Sequence, residues 1–341
     1  FSKKVFEPMS LYYRFGGFNF PTPVKRIEEL VVGDVWPNRE IQCIATNATI
    51  ETALKVLKEK NILSVPVIDV GSNTCVGVLD ILDIATFIAA FFSSVDNVSL
   101  ESLMALNYNG RLLAHEPVSD VFGFNKIFKP STLPLFPVML STPLPQLIHV
   151  FSNGIHRVPV IGDDNKIINF ISQSDLLTYL AEHSYLLAQT GVASQTISQL
   201  GTWNTTVHFC KADALVLHAL KIMATSRVSA MPIIDDQGKL LGNFSISDLR
   251  GLGSTDFGEL LSSVSSFLRK FNVKSLYPLS CKTSDTLEFV IMKLVATRVH
   301  RLWVVDDAGI LRGVLSLTDV MKPLVGIKME TSPAEFRVPI K

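Results

Sequence analysis

The stretch VHRLWVVDDAGILRGVLSLTD, Val299 to Asp319, joins a His-Arg pair to a β-branched run, a polar turn, a second apolar run and an aspartate. Short runs rich in Val, Ile and Leu on either side of a polar turn read as two paired strands. The closing aspartate stands where a helix would begin, and Asp is a good N-cap. The same order occurs three more times. The first runs are SVPVID (Ser64 to Asp69), RVPVIG (Arg157 to Gly162), AMPIID (Ala230 to Asp235) and RLWVVD (Arg301 to Asp306). The second runs end at Asp83, Asp175, Asp248 and Asp319, which lie 17, 16, 16 and 16 residues after Pro66, Pro159, Pro232 and Trp303. A spacing held that closely within one chain marks an internal repeat.

Each copy is preceded by a helical stripe at i, i+3, i+4 and i+7: Ile50, Ala53, Leu54, Leu57; Leu144, Leu147, Ile148, Phe151; Val216, Ala219, Leu220, Met223; Leu287, Val290, Ile291, Leu294. Such a stripe turns one apolar face toward a sheet. Related lead-in turns, VGDVW, VSDVF, ISQLG and VKSLY, start at Val32, Val118, Ile197 and Val273. The unit expected is therefore strand, helix, strand, strand, helix, an α/β (α+β) fold. One such unit is too thin to stand alone, so adjacent copies are expected to pair through their sheets or helices, giving two pairs. The organisation expected is an N-terminal extension (1–29), unit one (30–92), a linker insert (93–117), unit two (118–187), an inter-module linker (188–195), unit three (196–253), a second insert (254–272), unit four (273–326) and a C-terminal tail (327–341). Both inserts read as partly helical.

Bulk composition excludes several function classes. The 31 basic residues equal the 31 acidic ones among 341, so no global field favours nucleic acid or an anionic membrane. The run IATFIAAFF, Ile84 to Phe92, is about half the length of a membrane helix. Cys43, Cys75, Cys210 and Cys281 form no Cys-x-x-Cys pair and no zinc spacing, so no metal is expected, and reduced thiols suit a cytoplasmic or nuclear setting. The first residue is Phe, which leaves room for a preceding segment.

The His-Arg-x-Pro/Trp-Val first strand and the Ser-x-Ser/Thr-Asp second strand resemble the cystathionine-beta-synthase (CBS) domain, which occurs in tandem pairs called Bateman modules. Four copies, with His-Arg in units two and four and VSAMP (Val228 to Pro232) in unit three, resemble the gamma subunit of the AMP-activated/SNF1-related protein kinase family over about residues 30 to 326. The resemblance implies two Bateman modules in a flat pseudo-symmetric disc with adenine nucleotides (AMP, ADP, ATP) at its centre. It also implies a catalytic alpha kinase subunit and a beta scaffold subunit as partners.

The residues support a nucleotide pocket on their own chemistry. An aspartate at the start of a helix facing a cleft can accept hydrogen bonds from two ribose hydroxyls, while neighbouring hydroxyls and backbone N–H groups face phosphate. Asp175, Asp248 and Asp319 have such flanks, Ser316 and Thr318 being those of Asp319; a plain N-cap role is the alternative. His156, Arg157, His300 and Arg301 are candidate phosphate ligands, since Arg offers a planar fork and His a donor whose charge rises beside an anion. The alternative is that the acidic turns at Asp163 and Asp306 satisfy them. By resemblance, Ser229 joins the ribose or phosphate contacts and Thr202, in LGTWN, takes the place of a threonine that contacts adenine nucleotide.

Departures from the animal pattern are also legible. Leu63 replaces an arginine, Asp80 and Leu82 replace hydroxyl residues, Ser174 replaces a lysine, and Asp175 replaces a basic residue. The pockets of Asp248 and Asp319 are thus favoured over that of Asp83. Enzyme signatures are missing: GLGSTDFG, Gly251 to Gly258, lacks the third glycine of a dinucleotide loop, and no phosphate loop, nucleophile elbow or zinc helix is present. His149 and His218 read as surface residues of amphipathic helices. A regulatory nucleotide-binding subunit without catalysis is the expectation. The alternatives are a kinase scaffold that does not sense nucleotide and the regulatory part of an enzyme or transporter.

Overall fold

The computed structural model describes residues 25–326 apart from 37–40, 73, 129–135 and 163–165. The C-terminal tail, most of the N-terminal extension and Asp163 lie outside the described residues. The first helix is α1 (Val32–Val35), and unit one follows as β1 (Ile44–Ala45), α2 (Ile50–Glu59), β2 (Ser64–Ile68), β3 (Cys75–Asp80) and α3 (Ile81–Phe91). The first insert forms α4 (Leu100–His115) and leads into α5 (Val118–Phe128). Unit two is β4 (Val138–Met139), α6 (Leu144–Ser152), β5 (Arg157–Ile161), β6 (Ile167–Ser172) and α7 (Gln173–Glu182), extended by α8 (Ser184–Gln189). After α9 (Ile197–Leu200), unit three is α10 (Val216–Ser226), β7 (Ala230–Ile234), β8 (Leu240–Ser245) and a 3-10 turn (Ile246–Gly251). The second insert supplies a 3-10 segment (Phe257–Leu261) and α11 (Val264–Phe271), with another 3-10 turn at Val273–Leu276. Unit four is β9 (Ser280–Cys281), α12 (Leu287–Thr297), β10 (Arg301–Val305), β11 (Leu311–Ser316) and α13 (Leu317–Met321).

The repeat extends to details that sequence does not print. The hairpins β2/β3, β5/β6, β7/β8 and β10/β11 are antiparallel, each with a register shift at the same step: Val67/Ile68, Val160/Ile161, Ile233/Ile234 and Val304/Val305. The short first strand joins in parallel in units one, two and four, and shrinks to the bridge Cys210↔Ile233 in unit three. The first helix of every unit is followed by a left-handed residue five positions before the proline or tryptophan: Asn61, Gly154, Arg227 and Arg298. Glycine suits that conformation, and the other three carry a strain of roughly 1–2 kcal/mol. All four stripes are buried as expected.

Packing between units uses both interfaces at once. One core holds α2, α3, α10 and the β2 and β7 strands, joining units one and three; a second holds α6, α7, α12 and α13, joining units two and four. Sheets meet within the sequential pairs. Ala230, Leu240 and Trp303 form a small cluster between units three and four, where Lys239 bridges to Ile310 and Trp303 Nε1 donates to Asn243 Oδ1 at 3.2 Å. Units three and four thus meet through their sheets, while α3 packs on α10 and α7 on α12 across to the other pair. The reason is that each unit has two apolar faces to cover, and one neighbour covers one of them.

The lead-in turns dock across each sequential pair. Val32 N–H and Gly33 N–H donate to Thr142 O and Leu140 O of unit two, while Val118 N–H and Ser119 N–H donate to Ala48 O and Thr46 O of unit one. Likewise Ile197 and Ser198 donate to Asp285 O and Thr283 O of unit four, and Val264 and Ser265 to Ala214 O and Ala212 O of unit three. Each lead-in helix therefore docks on the other member of its pair. The first N–H groups of a helix need outside acceptors, and the neighbour's loop carbonyls provide them. The fourth lead-in is VSSF at Val264, not VKSLY at Val273; the Val273–Leu276 turn packs against unit three.

Candidate functional site

Four aspartates hold the same local geometry. One carboxylate oxygen accepts the backbone N–H three residues earlier: Asp80 N to Asp83 Oδ2 at 3.1 Å, Ser172 N to Asp175 Oδ2 at 2.8 Å, Ser245 N to Asp248 Oδ2 at 2.8 Å and Ser316 N to Asp319 Oδ2 at 2.9 Å. This reciprocal cap is written in the Ser-x-x-Asp spacing of units two to four and in Asp80-x-x-Asp83 of unit one. It commits one oxygen, and the surroundings of the other differ between units. Asp319 Oδ1 accepts from Lys322 Nζ at 2.7 Å, a side chain half exposed to solvent. Asp248 Oδ1 accepts from Asn272 Nδ2 at 2.7 Å and Ser275 Oγ at 3.2 Å.

The hairpin starts bring the His-Arg pairs together. Arg157 Nη1 of unit two donates to Ser64 O of unit one at 2.8 Å, and Arg301 Nη2 of unit four donates to Ser229 Oγ of unit three at 2.5 Å. His300 feels Arg301, His156, Arg250 and Arg157 electrostatically, so five basic side chains from three units lie near one another. Burial first, then these cations, push the His300 pKa down to about 4. Burial and then Arg301 lower that of His156, a residue that keeps part of its surface exposed. Burial lowers Arg301 to about 10, still charged at neutral pH. A phosphate among them would offset the repulsion between these groups.

Asp306, one of the two acidic turns weighed as a partner for these cations, is taken up elsewhere. Its Oδ2 accepts from Arg312 Nε and Nη2 at 2.9 and 2.6 Å, and its Oδ1 caps its own turn.

Thr202 and Asp319 line one open cleft of about 370 Å3, together with Gly201, Trp203, Asn204, Thr205 and Lys322. That is within the size range of small-ligand sites. Thr202 Oγ1 is buried and, among the described residues, has no hydrogen-bond partner. A buried hydroxyl without a partner costs about 1–3 kcal/mol. Its position is set by Asn204, whose N–H donates to Val314 O at 2.9 Å while Val314 N–H donates to Asn204 O at 2.8 Å. That bridge lays the segment across Gly313, where a Cβ would stand 2.4 Å from both Asn204 O and the Trp203 ring. Only glycine allows this approach.

Other expected residues lie differently. Asp248 is 3 % exposed, and its carboxyl pKa is raised by burial against the hydrogen bonds of Ser245, Asn272 and Ser275. Asn272 and Ser275 thus occupy the oxygen expected to meet ribose. Ser316 Oγ turns inward to Asp319 Oδ2 at 2.6 Å, serving as the helix cap. Thr318 Oγ1 accepts from Gln173 Nε2 of unit two at 2.8 Å. Asp175 is partly buried, and Ser172 Oγ closes on its Oδ2 at 2.6 Å. His149 is exposed, and His218 Nε2 lies 3.0 Å from Asp96 O on the surface.

Sequence reading missed Arg250, Lys322, Asn272 and Ser275. Arg250 had a signal: it follows Asp248 by two residues, where the other units have Ala85, Leu177 and Met321. It clamps unit three to unit one, donating from Nη1 to Asn61 Oδ1 at 3.1 Å and to Ile62 O at 3.4 Å. Burial lowers its pKa, which Asp248 counteracts. Among the described residues, no group of His, Cys, Asp and Glu could hold a metal ion, and no helix is long and apolar enough to cross a membrane.

Comparison with known proteins places this geometry in a family. The chain is 29 % identical over 281 residues to the SNF1-related protein kinase regulatory subunit gamma-like PV42a of Arabidopsis thaliana, covering 73 % of this chain and 75 % of that protein. It is 24 % identical to the 5'-AMP-activated protein kinase subunit gamma of Saccharomyces cerevisiae, covering 81 % and 84 %. Protein MJ1225 from Methanocaldococcus jannaschii shares the fold, with a TM-score of 0.65 at 17 % identity over 86 % of this chain and 99 % of that one. The CBS domain matches residues 32–90, 127–182, 204–253 and 273–326. With four matches spread over most of its length, the chain belongs to the CBS-domain family, and its relatives include gamma subunits of AMP-activated and SNF1-related protein kinases.

Proposed function

We propose that this chain is a non-catalytic, gamma-type regulatory subunit that binds an adenine nucleotide in the unit-four cleft and reports energy status to a Ser/Thr protein kinase. The observation that carries the reading is Thr202, which lines the same cleft as Asp319 and whose buried Oγ1 has no hydrogen-bond partner among the described residues. The ribose hydroxyls donate to the outer oxygen of Asp319, displacing the exposed Lys322. Thr202 pairs with the nucleoside. The phosphates point to His156, Arg157, His300 and Arg301, with Ser229 already hydrogen-bonded to Arg301. Arg250 adds a third guanidinium. AMP, ADP and ATP differ in the negative charge they bring to this centre, so each can bias the packing of the four units differently. The partners are a catalytic alpha subunit and a beta scaffold subunit, by likeness to the kinase gamma relatives.

Calorimetric titration of the purified chain with AMP and ATP tests the binding step, and assay of a reconstituted kinase complex with and without AMP tests the regulatory one. AMP binding that weakens in Asp319→Asn is the expected result. A chain that binds no nucleotide, yet still assembles with and sustains a kinase, would instead be a scaffold. Unit one favours that second reading to the extent that Leu63, Asp80 and Leu82 leave it without phosphate donors.

A further inference from the structure

We infer that the third unit's pocket is sealed by the chain itself: Asn272 and Ser275, in the segment that leads from α11 into unit four, stand on Asp248 where ribose hydroxyls would hydrogen-bond. A nucleotide held at unit four therefore has no counterpart at unit three. The inference rests on the reading above, that the aspartate opening each unit's last helix is the ribose acceptor.

Two donors meet one oxygen. Asn272 Nδ2 and Ser275 Oγ approach Asp248 Oδ1 at 2.7 and 3.2 Å, and Asn272 Nδ2 also donates to Ser275 Oγ at 3.0 Å. The arrangement has the chemistry of a vicinal diol bound to a carboxylate, two donors onto one acceptor.

The segment that carries them is anchored at both ends. Asn272 N–H donates to Leu268 O at 2.8 Å and Ser275 N–H to Asn272 O at 3.0 Å. Ser275 O lies against Gly242, where a Cβ would be 2.9 Å away, and the Phe271 ring lies against Gly251, where a Cβ would be 3.0 Å away. Upstream, α11 is pinned to unit three by its own lead-in bonds. The plug is part of the packing, not a loose cover.

Unit four differs on each point. Asp319, 8 % exposed, has Lys322 on its Oδ1, and that lysine's half-exposed stem lets its ammonium return to water when another donor arrives. The carboxylate of Asp248 is more deeply buried and needs its donors, because a buried charge left without them is costly. The double variant Asn272→Ala/Ser275→Ala removes the plug while leaving that need, and a ribose diol can meet it.

The test is AMP stoichiometry by calorimetry in the full chain and in the double variant. The variant is expected to bind one more equivalent than the native chain, the extra equivalent disappearing when Asp248→Asn is added. Its melting temperature is expected to fall without AMP and to recover more with AMP than the native chain gains. If the double variant does not fold, Asn272→Ala alone serves, since Asn272 makes the shorter bond to Asp248. Unchanged stoichiometry in a folded variant overturns the seal, as does AMP density against Asp248 in crystals of the native chain soaked with AMP. A native chain that binds no AMP at all would sink the functional reading instead. The seal would then be judged by the variant alone, supported by a gained equivalent that Asp248→Asn removes and overturned by none.

Discussion

Units three and four share the Ser-x-x-Asp cap, the same hairpin and the same bulge, yet the two aspartates face different neighbours. Asp319 borders a cleft with an unpartnered threonine and a displaceable lysine. Asp248 is closed by two side chains from the segment between α11 and β9. The difference teaches that a repeat determines where a carboxylate stands, whereas the connection to the next repeat determines what reaches it. Local pattern places the group; non-local packing assigns its use.

The comparison breaks most readily at the cation centre that would serve both units. His300→Ala with Arg301→Ala is expected to weaken AMP binding tenfold or more, since charge-assisted hydrogen bonds contribute ~1.5–3 kcal/mol each. Calorimetry checks it, and affinity within twofold of native would remove the phosphate assignment. Next in size is Gly313→Ala, which drives a Cβ into Asn204 O and the Trp203 ring. Overpacking of this kind costs about 1–3 kcal/mol, read from the urea midpoint, and the displaced Thr202 segment should lose AMP affinity as well. Full stability with full binding would show that the segment tolerates the shift.

Asp319→Asn sharpens the contrast more gently. Affinity for AMP should fall while that for inorganic phosphate stays, because the contact proposed is to ribose; equal losses for both would make Asp319 a helix cap alone. The pH response concerns His300. Its pKa in the folded chain, pushed to about 4 by burial first and then by Arg301, lies below the unfolded value of about 6.5. The unfolded chain binds the extra proton in that window, so stability should decline as pH falls from about 6.5 toward 4. His300→Gln should flatten that part of the urea-midpoint profile, and an unchanged profile would show that other groups carry it. The smallest effect expected is that of Leu63→Ala, which costs packing but should leave AMP affinity unaltered. A clear loss of affinity would bring unit one back into the site.

Much of the fold was legible in the chain. The stripes at 3.6-residue spacing, the β-branched runs and the aspartates 16 or 17 residues on each depend on neighbours within one unit, so sequence shows them directly. The lead-in turns were legible as a motif, but where each docks was not, because their N–H groups find acceptors in the other unit of the pair. The fourth was misplaced at Val273 although VSSF at Val264 matches the VSDVF pattern better.

At the site, the sequence by itself determined which groups stand at helix starts and strand starts: Asp175, Asp248 and Asp319, and the His156-Arg157 and His300-Arg301 pairs. These positions follow from caps and strand ends, which are local. Only the tertiary structure decided that helices cross between pairs, that Arg250 joins the cations, that Thr202 lies beside Asp319, and that Asn272 and Ser275 close on Asp248. Those contacts join segments up to 189 residues apart, and no periodicity along a chain reports which distant segment will supply the missing donor.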